Sequence, residues 1–493
     1  MSAPTSDLDA VAPPSAQPPA PGRTAPAPSR VTRPEDRIGF WEKAALGLGS
    51  LPLFFGTAAV KGLTIPVYQM TLKLSPVLVG TALAIPSFWD AAVDLFVGYK
   101  SDNCHSRFGR RRPFIAIGSI ACMFAFGLIW MVPSGMSQAA TLAYLLGTLL
   151  LFFTCFSFFS VPLTTLAYEM TPDYQERTRV AAFGGFFGKA GEFIYQWIFP
   201  LACSTVLFGT VMHGVRVVGW AIAVLVMGAM GLVPALFVRE RYFKRAVSQE
   251  KVRFLPSLRD SFRNRAFVVL VALTLCHIVA GMFISSIDYY LLVYHMSGGN
   301  VAVGSYWKAI LSSAYAIIGI VGIYPVNWMA NRIGKRTTLI VTFAMVLVGA
   351  AGKWFLFTPG NPWKILLDPL LCGPVWIAIN VLTPSMFADV CDLDELTHGQ
   401  RREGMFGSLF SWIQKTGYSL AYFGTGLALS LSGFNAGLAG HQHASAILSL
   451  RLIFTGTTAL WALGAIALLC LYPLTKDRAY EIRDQLEARR GRI

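Results

Sequence analysis

The sequence predicts an all-α polytopic membrane protein of twelve transmembrane helices in two six-helix halves. Three observations carry that expectation: the scarcity of charge, the spacing of the apolar segments, and the connections in which lysine and arginine fall. Of the 493 residues, 54% are hydrophobic and only 14% are charged, and the mean hydropathy is +0.54. A soluble globular chain carries roughly 25% charged residues. The composition therefore excludes a disordered chain, a fibre and almost any cytosolic enzyme of this length. The net charge of +15 does not point to nucleic acid, because the basic residues are scattered between apolar segments instead of lying on one soluble surface.

The apolar segments fall at about 45–70, 76–98, 114–132, 141–167, 180–206, 218–238, 266–294, 304–329, 338–357, 365–388, 404–431 and 452–473. Each is long enough to cross a bilayer as a helix, which satisfies every backbone group within the segment. The short alternating segments of a β-barrel are not seen. The even-numbered connections hold 21 lysines and arginines, and the odd-numbered ones hold four: Lys73, Arg216, Lys364 and Arg451. That asymmetry places the even connections and both termini in the cytoplasm. The expected divisions are a Pro/Ala-rich tail at 1–40, a first half at 41–238, a basic linker at 239–265, a second half at 266–475 and a tail at 476–493. The first segment has no apolar core of its own and reads as disordered, not as a signal peptide.

The two halves repeat each other weakly. After span two comes Arg107-Phe108-Gly109-Arg110-Arg111-Arg112, and after span eight comes Arg332-Ile333-Gly334-Lys335-Arg336. In each, glycine permits a tight turn and the cations sit at helix ends. Two such halves with a site between them describe a secondary transporter. No phosphate loop, nucleotide fingerprint or protease motif occurs. Six of the eight cysteines lie singly in apolar runs, and His277 alone among the seven histidines falls inside a span. These read as packing residues.

Three stretches carry a family resemblance: Trp89-Asp90-Ala91-Ala92-Val93-Asp94 with the Gly98–Phe114 loop; Pro162–Glu169 with Thr171–Arg179; and Ala388–Glu395 with Gly399–Gly404, running on to Lys415. Over residues 40–475 the chain resembles the glycoside–pentoside–hexuronide:cation symporters of the major facilitator superfamily, whose best known member is the melibiose permease. The loop Ser106–Phe114 is also similar to that of sucrose transporters. The resemblance implies the major facilitator fold and uptake of a sugar or glycoside with a proton or sodium ion.

Ten charges lie inside the spans: Lys61, Asp90, Asp94, Lys189, Glu192, Asp288, Lys308, Lys353, Asp368 and Lys415. Charge in a membrane is costly, so each is a functional candidate. Lys308, Lys353 and Asp368 lie near span ends, where an interfacial position is the simpler expectation. Asp90 and Asp94 are four apart and share one face of span two. Two carboxylates this close repel, and burial disfavours both charges. A cation or a proton relieves both costs.

In the family the acids matching Asp90 and Asp94 bind the coupling cation. An asparagine and a threonine of that site correspond to Val93 and Ser157 here. Valine removes an oxygen ligand, which favours a proton over sodium. The family's lysine facing the site corresponds to Lys415, a candidate coupling residue. The family's sugar clamp corresponds to Phe54, Ser160 and Gly185, so the galactoside chemistry is missing. Lys189 and Glu192, one turn along the same helix, are substitute sugar contacts or a structural pair. Ser160, Asn380 and Trp376 complete the substrate candidates, with Trp89, Tyr195, Trp197 and Trp412 as further stacking rings. At the cytoplasmic ends, Arg110 and Arg111 with Asp389, Asp392, Arg401 and Arg402 are gating candidates, expected to pair across the halves and close the inside of the outward-facing state.

The sequence thus predicts a monomeric inner-membrane symporter, not an enzyme. It has no cofactor beyond the coupling ion, no metal and no nucleic-acid partner. Its partners are a sugar or glycoside and the surrounding lipids. A transporter of another amphipathic solute, such as a lysolipid, and a non-transporting receptor or scaffold are the alternatives.

Overall fold

The computed structural model describes residues 37–104, 106–170, 174–240, 264–398, 403–435, 438 and 440–490. The expected disordered tail, most of the basic linker, and Arg401 and Arg402 lie outside the described residues. Twelve long helices follow one another: α1 Phe40–Thr71, α2 Pro76–Asp102, α3 Arg112–Ile129, α4 Gln138–Glu169, α5 Tyr174–Ala202 and α6 Val211–Phe237. Then come α7 Arg265–Met296, α8 Val301–Ile333, α9 Lys335–Leu356, α10 Asp368–His398, α11 Glu403–Leu431 and α12 Ala444–Leu471. Among the described residues, 10 helices are long and apolar enough to cross a membrane. The other two, α5 and α11, are 29 residues each but carry more polar side chains.

Local chemistry sets where these helices begin and bend. Ser137, Thr210, Asn264 and Asn300 each accept a first-turn N–H, at 3.2, 3.3, 3.2 and 3.1 Å, as N-capping residues do. The Thr210 cap starts α6 at Val211, ahead of the apolar run that begins near 218. Pro66 has no N–H to give, and α1 there widens into π-type turns over Ile65–Thr71.

The repeated turns use their glycines as the sequence suggests. Gly109 has φ +107° and Gly334 φ +86°, both in the region that favours glycine. Beyond Gly109 the backbone N–H groups of Arg110, Arg111 and Arg112 all donate to the Glu240 carboxylate, at 2.9, 2.8 and 3.1 Å. An anion at the start of α3 is favourable there, and it ties that turn to the end of α6.

One reading of the ends is corrected and another is filled in. The acids Asp389, Asp392, Asp394 and Glu395 are on helix, not in a loop, because α10 runs on to His398. No breaker interrupts the segment, and Val390 and Asp394 bury one face of it. The tail beyond 475 is a further helix, α13 Lys476–Arg490. Its Ile482 and Leu486 are buried, it packs on α10, and Lys476 Nζ donates to the carbonyl of Asn331 at 2.5 Å.

The halves meet through α2 on α11 and α5 on α8. At the end away from the two glycine turns the approach is close. A Cβ on Gly80 would lie 2.9 Å from the Tyr422 carbonyl oxygen, and one on Gly426 would lie 2.6 Å from that of Pro76. Tyr290 of α7 donates to the Gln69 side chain of α1, and Trp197 of α5 donates to Ser313 of α8 at 3.1 Å. A Gly426→Leu substitution should push α2 and α11 apart at this end. A cysteine placed beside it should then react several-fold faster with a water-soluble maleimide than in the parent. Unchanged labelling would mean that these helices do not form the seal.

Candidate cation and substrate site

Three helices, α1, α4 and α11, converge on the α2 carboxylates. Lys415 of α11 places Nζ 3.0 Å from Asp90 Oδ2 and also bonds Asp94 Oδ2. Ser157 of α4 donates to Asp90 Oδ1 at 3.1 Å. Lys61 of α1 donates to Ser87 Oγ at 2.8 Å, and its ammonium sits 5.1 Å from the centre of the Phe153 ring. Lys61 is 7% exposed, whereas the Lys415 side chain is 35% exposed. Asp94 Oδ1 is buried and has no hydrogen-bond partner among the described residues. The structure thus brings together Asp90, Asp94, Ser157 and Lys415, and adds Lys61, which the sequence marked only as a charge in a span.

Between the halves lies a cavity of about 360 Å³. On the first half it is lined by Lys189 and Glu192, which pair with each other at 2.6 Å, and by Tyr195. On the second half it meets Asp288, Lys308, Tyr315, Lys353, Trp376, Asn380 and Trp461. Lys308 bonds Asp288 Oδ1 at 2.5 Å and the Ser285 carbonyl at 3.0 Å. Lys353 of α9 bonds Asp368 Oδ2 at 2.8 Å, where the Tyr315 hydroxyl also donates at 2.6 Å. His277 packs edge-on against Trp376, with ring centres 4.6 Å apart.

Several expectations change. Lys308, Lys353 and Asp368 are paired inside the protein: Lys353 and Asp368 are 3% and 1% exposed as a pair, and each of the three faces its opposite charge on the adjacent helix. Ser160 is not among the residues lining the cavity. Of the ring candidates, Tyr195 and Trp376 line it, Trp197 bonds Ser313, and Trp89 bonds Thr154 at 2.8 Å away from it. Trp412 is exposed. Asp389 pairs with Lys335 at 2.6 Å within the second half, and the Arg110 and Arg111 amides are held by Glu240 within the first. These contacts lie within single halves; the cross-half pairs are expected of the outward-facing state. Asp392 lies one turn on, half-buried on α10.

Residues 45–476 match the sequence profile of the MFS/sugar transport proteins, and the chain belongs to that family. It is 26% identical to the glucuronide carrier protein homolog of Escherichia coli, over 83% of this chain and 87% of that one. It is 23% identical to the sodium-dependent lysophosphatidylcholine symporter 1 of Gallus gallus, over 92% of this chain and 90% of that one. Its fold matches the crystal structure of a D-xylose–proton symporter with a TM-score of 0.60 at 13% identity, covering 86% of this chain and 97% of that one. The architecture is therefore the major facilitator fold of a membrane transporter.

Removing one partner of a buried ion pair leaves the other charge uncompensated, at a cost of about 3–5 kcal/mol. Lys353→Met should therefore lower the thermal unfolding temperature in detergent markedly, and adding Asp368→Asn should restore most of it. Equal losses in the single and double variants would rule out the pair as the cause.

Proposed function

We propose that this chain is a secondary active symporter that imports a sugar or glycoside with a cation, a proton in preference to sodium. It would work as a monomer in the inner membrane with both termini in the cytoplasm. The observation that carries the reading is the ion pair across the halves, Lys415 of α11 on Asp90 and Asp94 of α2. A cation arriving at the two acids competes with Lys415. Neutralising the acids releases the ammonium, and with it a tie between the halves, so ion occupancy biases which way they rock. Closure at the end away from the basic turns, together with Lys415 seated on the acids, corresponds in this reading to a state shut to the outside after the cation has left. Val93 supports the proton, since it offers no oxygen where a sodium ion would need one.

The cavity supports the cargo. Its volume suits a small solute, and each of the three ammonium groups at its wall is paired with a carboxylate, Glu192 and Asp288 on the wall itself and Asp368 behind it. Such a wall favours a neutral polyhydroxyl compound: carboxylates accept from hydroxyls, ammonium groups donate to them, and both bonds are charge-assisted. Lys189, Glu192 and Asn380 are the proposed polar contacts, and Trp376 the stacking face. Arg110, Arg111, Asp389 and Asp392, with Arg401 and Arg402, remain proposed gate residues, now tied in part to their own halves.

Counterflow of labelled neutral glycosides into proteoliposomes tests the cargo. Flux of a glycoside supports it, and transport of a lysolipid with no glycoside flux overturns it. Imposed gradients test the coupling. Uptake should follow an inward proton gradient and ignore sodium. Asp94→Asn should abolish accumulation above the equilibrated level while preserving exchange, and the Asp90→Asn/Asp94→Asn double variant should retain at most facilitated diffusion. Full concentrative uptake by the double variant would refute the site.

A further inference from the structure

We propose that Lys61 is the resident counter-ion of Asp90, so that Asp94 alone exchanges Lys415 for the coupling cation, and that this tethered ammonium excludes sodium. The inference rests on the symport reading above and refines its ion site. Asp90 has Asp94 one turn along its own helix, Lys415 from α11 at 3.0 Å, and Lys61 from α1, whose ammonium is bonded to Ser87, one turn before Asp90 on the same helix. α4 contributes the neutral hydroxyl of Ser157. Two carboxylates therefore face two ammonium groups, and the cluster is neutral as it stands.

The two lysines are not equivalent. Lys61 is buried, fixed on the Ser87 hydroxyl at 2.8 Å and set near the face of Phe153, an arrangement that holds a cation in place. Lys415 is a third exposed and is less tightly enclosed. When Lys415 leaves, Lys61 stays, and the two acids lack one positive charge, not two. Asp90 keeps Lys61 nearby and Ser157 on Oδ1. Asp94 loses its partner and carries the oxygen that is already orphaned. The vacancy that opens is therefore a single carboxylate.

Sodium needs several oxygens converging on one point, and the cluster has few to spare. Ser87 accepts from Lys61 and donates to the Leu83 carbonyl at 3.0 Å. Ser157 donates its one proton to Asp90 or to the Phe153 carbonyl, each at 3.1 Å, and so offers a single neutral oxygen. Val93 supplies none. A proton needs only one basic oxygen, and Asp94 offers it. Removing Lys61 would change this by releasing the Ser87 oxygen and leaving Asp90 without its counter-ion, so that two carboxylates and a hydroxyl would face one space.

Thermal unfolding of the purified full chain in detergent tests this without any cargo. Sodium chloride is titrated against choline chloride at fixed ionic strength and pH. The parent should show no sodium-specific stabilisation. Lys61→Met should gain a saturable one, corresponding to sodium binding about tenfold or more tighter than in the parent. Adding Asp90→Asn should remove that gain, and Lys61→Arg, which keeps the charge, should behave as the parent does. Lys61→Gln is the second variant should Lys61→Met not fold. Saturable sodium stabilisation of the parent overturns the proposal, as does a monodisperse Lys61→Met or Lys61→Gln protein that gains none. Because no sugar is used, failure here leaves the cargo assignment standing, and failure to carry sugar leaves this result standing.

Discussion

A charge in the low-dielectric interior of a membrane protein must be neutralised, and that demand organises the core of this molecule. The ten charged residues that the sequence places in spans resolve into four neutral sets. Lys189 pairs with Glu192, Lys308 with Asp288, and Lys353 with Asp368. Lys61 and Lys415 face Asp90 and Asp94. The first three sets close within one half. Only the fourth joins the halves, so it alone can sense, and be sensed by, their relative movement.

This division separates stability from coupling. Two of the within-half pairs join neighbouring helices, α7 with α8 and α9 with α10, and Lys353 with Asp368 is the more buried of them. The cross-half set must instead be breakable. Under the proposal above its mobile member is Lys415, the more exposed lysine, while the buried Lys61 keeps one acid from standing alone. Where the halves abut at the closed end, backbone approaches at Gly80 and Gly426 replace charge pairs. Such a surface can separate without exposing an unpaired ion.

Much of the architecture was legible because the membrane enforces it. Runs of about 20 apolar residues had to be helices, and the basic turns marked one end of each half. What escaped were features whose signal lies outside the hydropathy. The extension of α10 to His398 is hidden because the helix leaves the apolar zone before it stops. The folding of α13 is hidden because only Ile482 and Leu486 mark its buried face. In the site, the i, i+4 spacing of Asp90 and Asp94 was readable at once, and the resemblance supplied Lys415. The roles of Lys61, Asp288 and Lys308 were not readable, since pairing between helices depends on their rotation, which one sequence does not state. Ser160 was placed by correspondence with a clamp this chain lacks, and the cavity does not include it.

The helix after α12 has a practical meaning. α13 is anchored at both of its faces that matter: Lys476 grips the end of α8, and two aliphatic side chains lie against α10. It therefore travels with the second half as part of one solid body. The Gly109 turn, clamped by Glu240, travels in the same way with the first. These two aqueous landmarks form a natural ruler. A spin label or fluorophore on an exposed position of each would register the swing between halves as a change in separation, with no probe placed in the transport path.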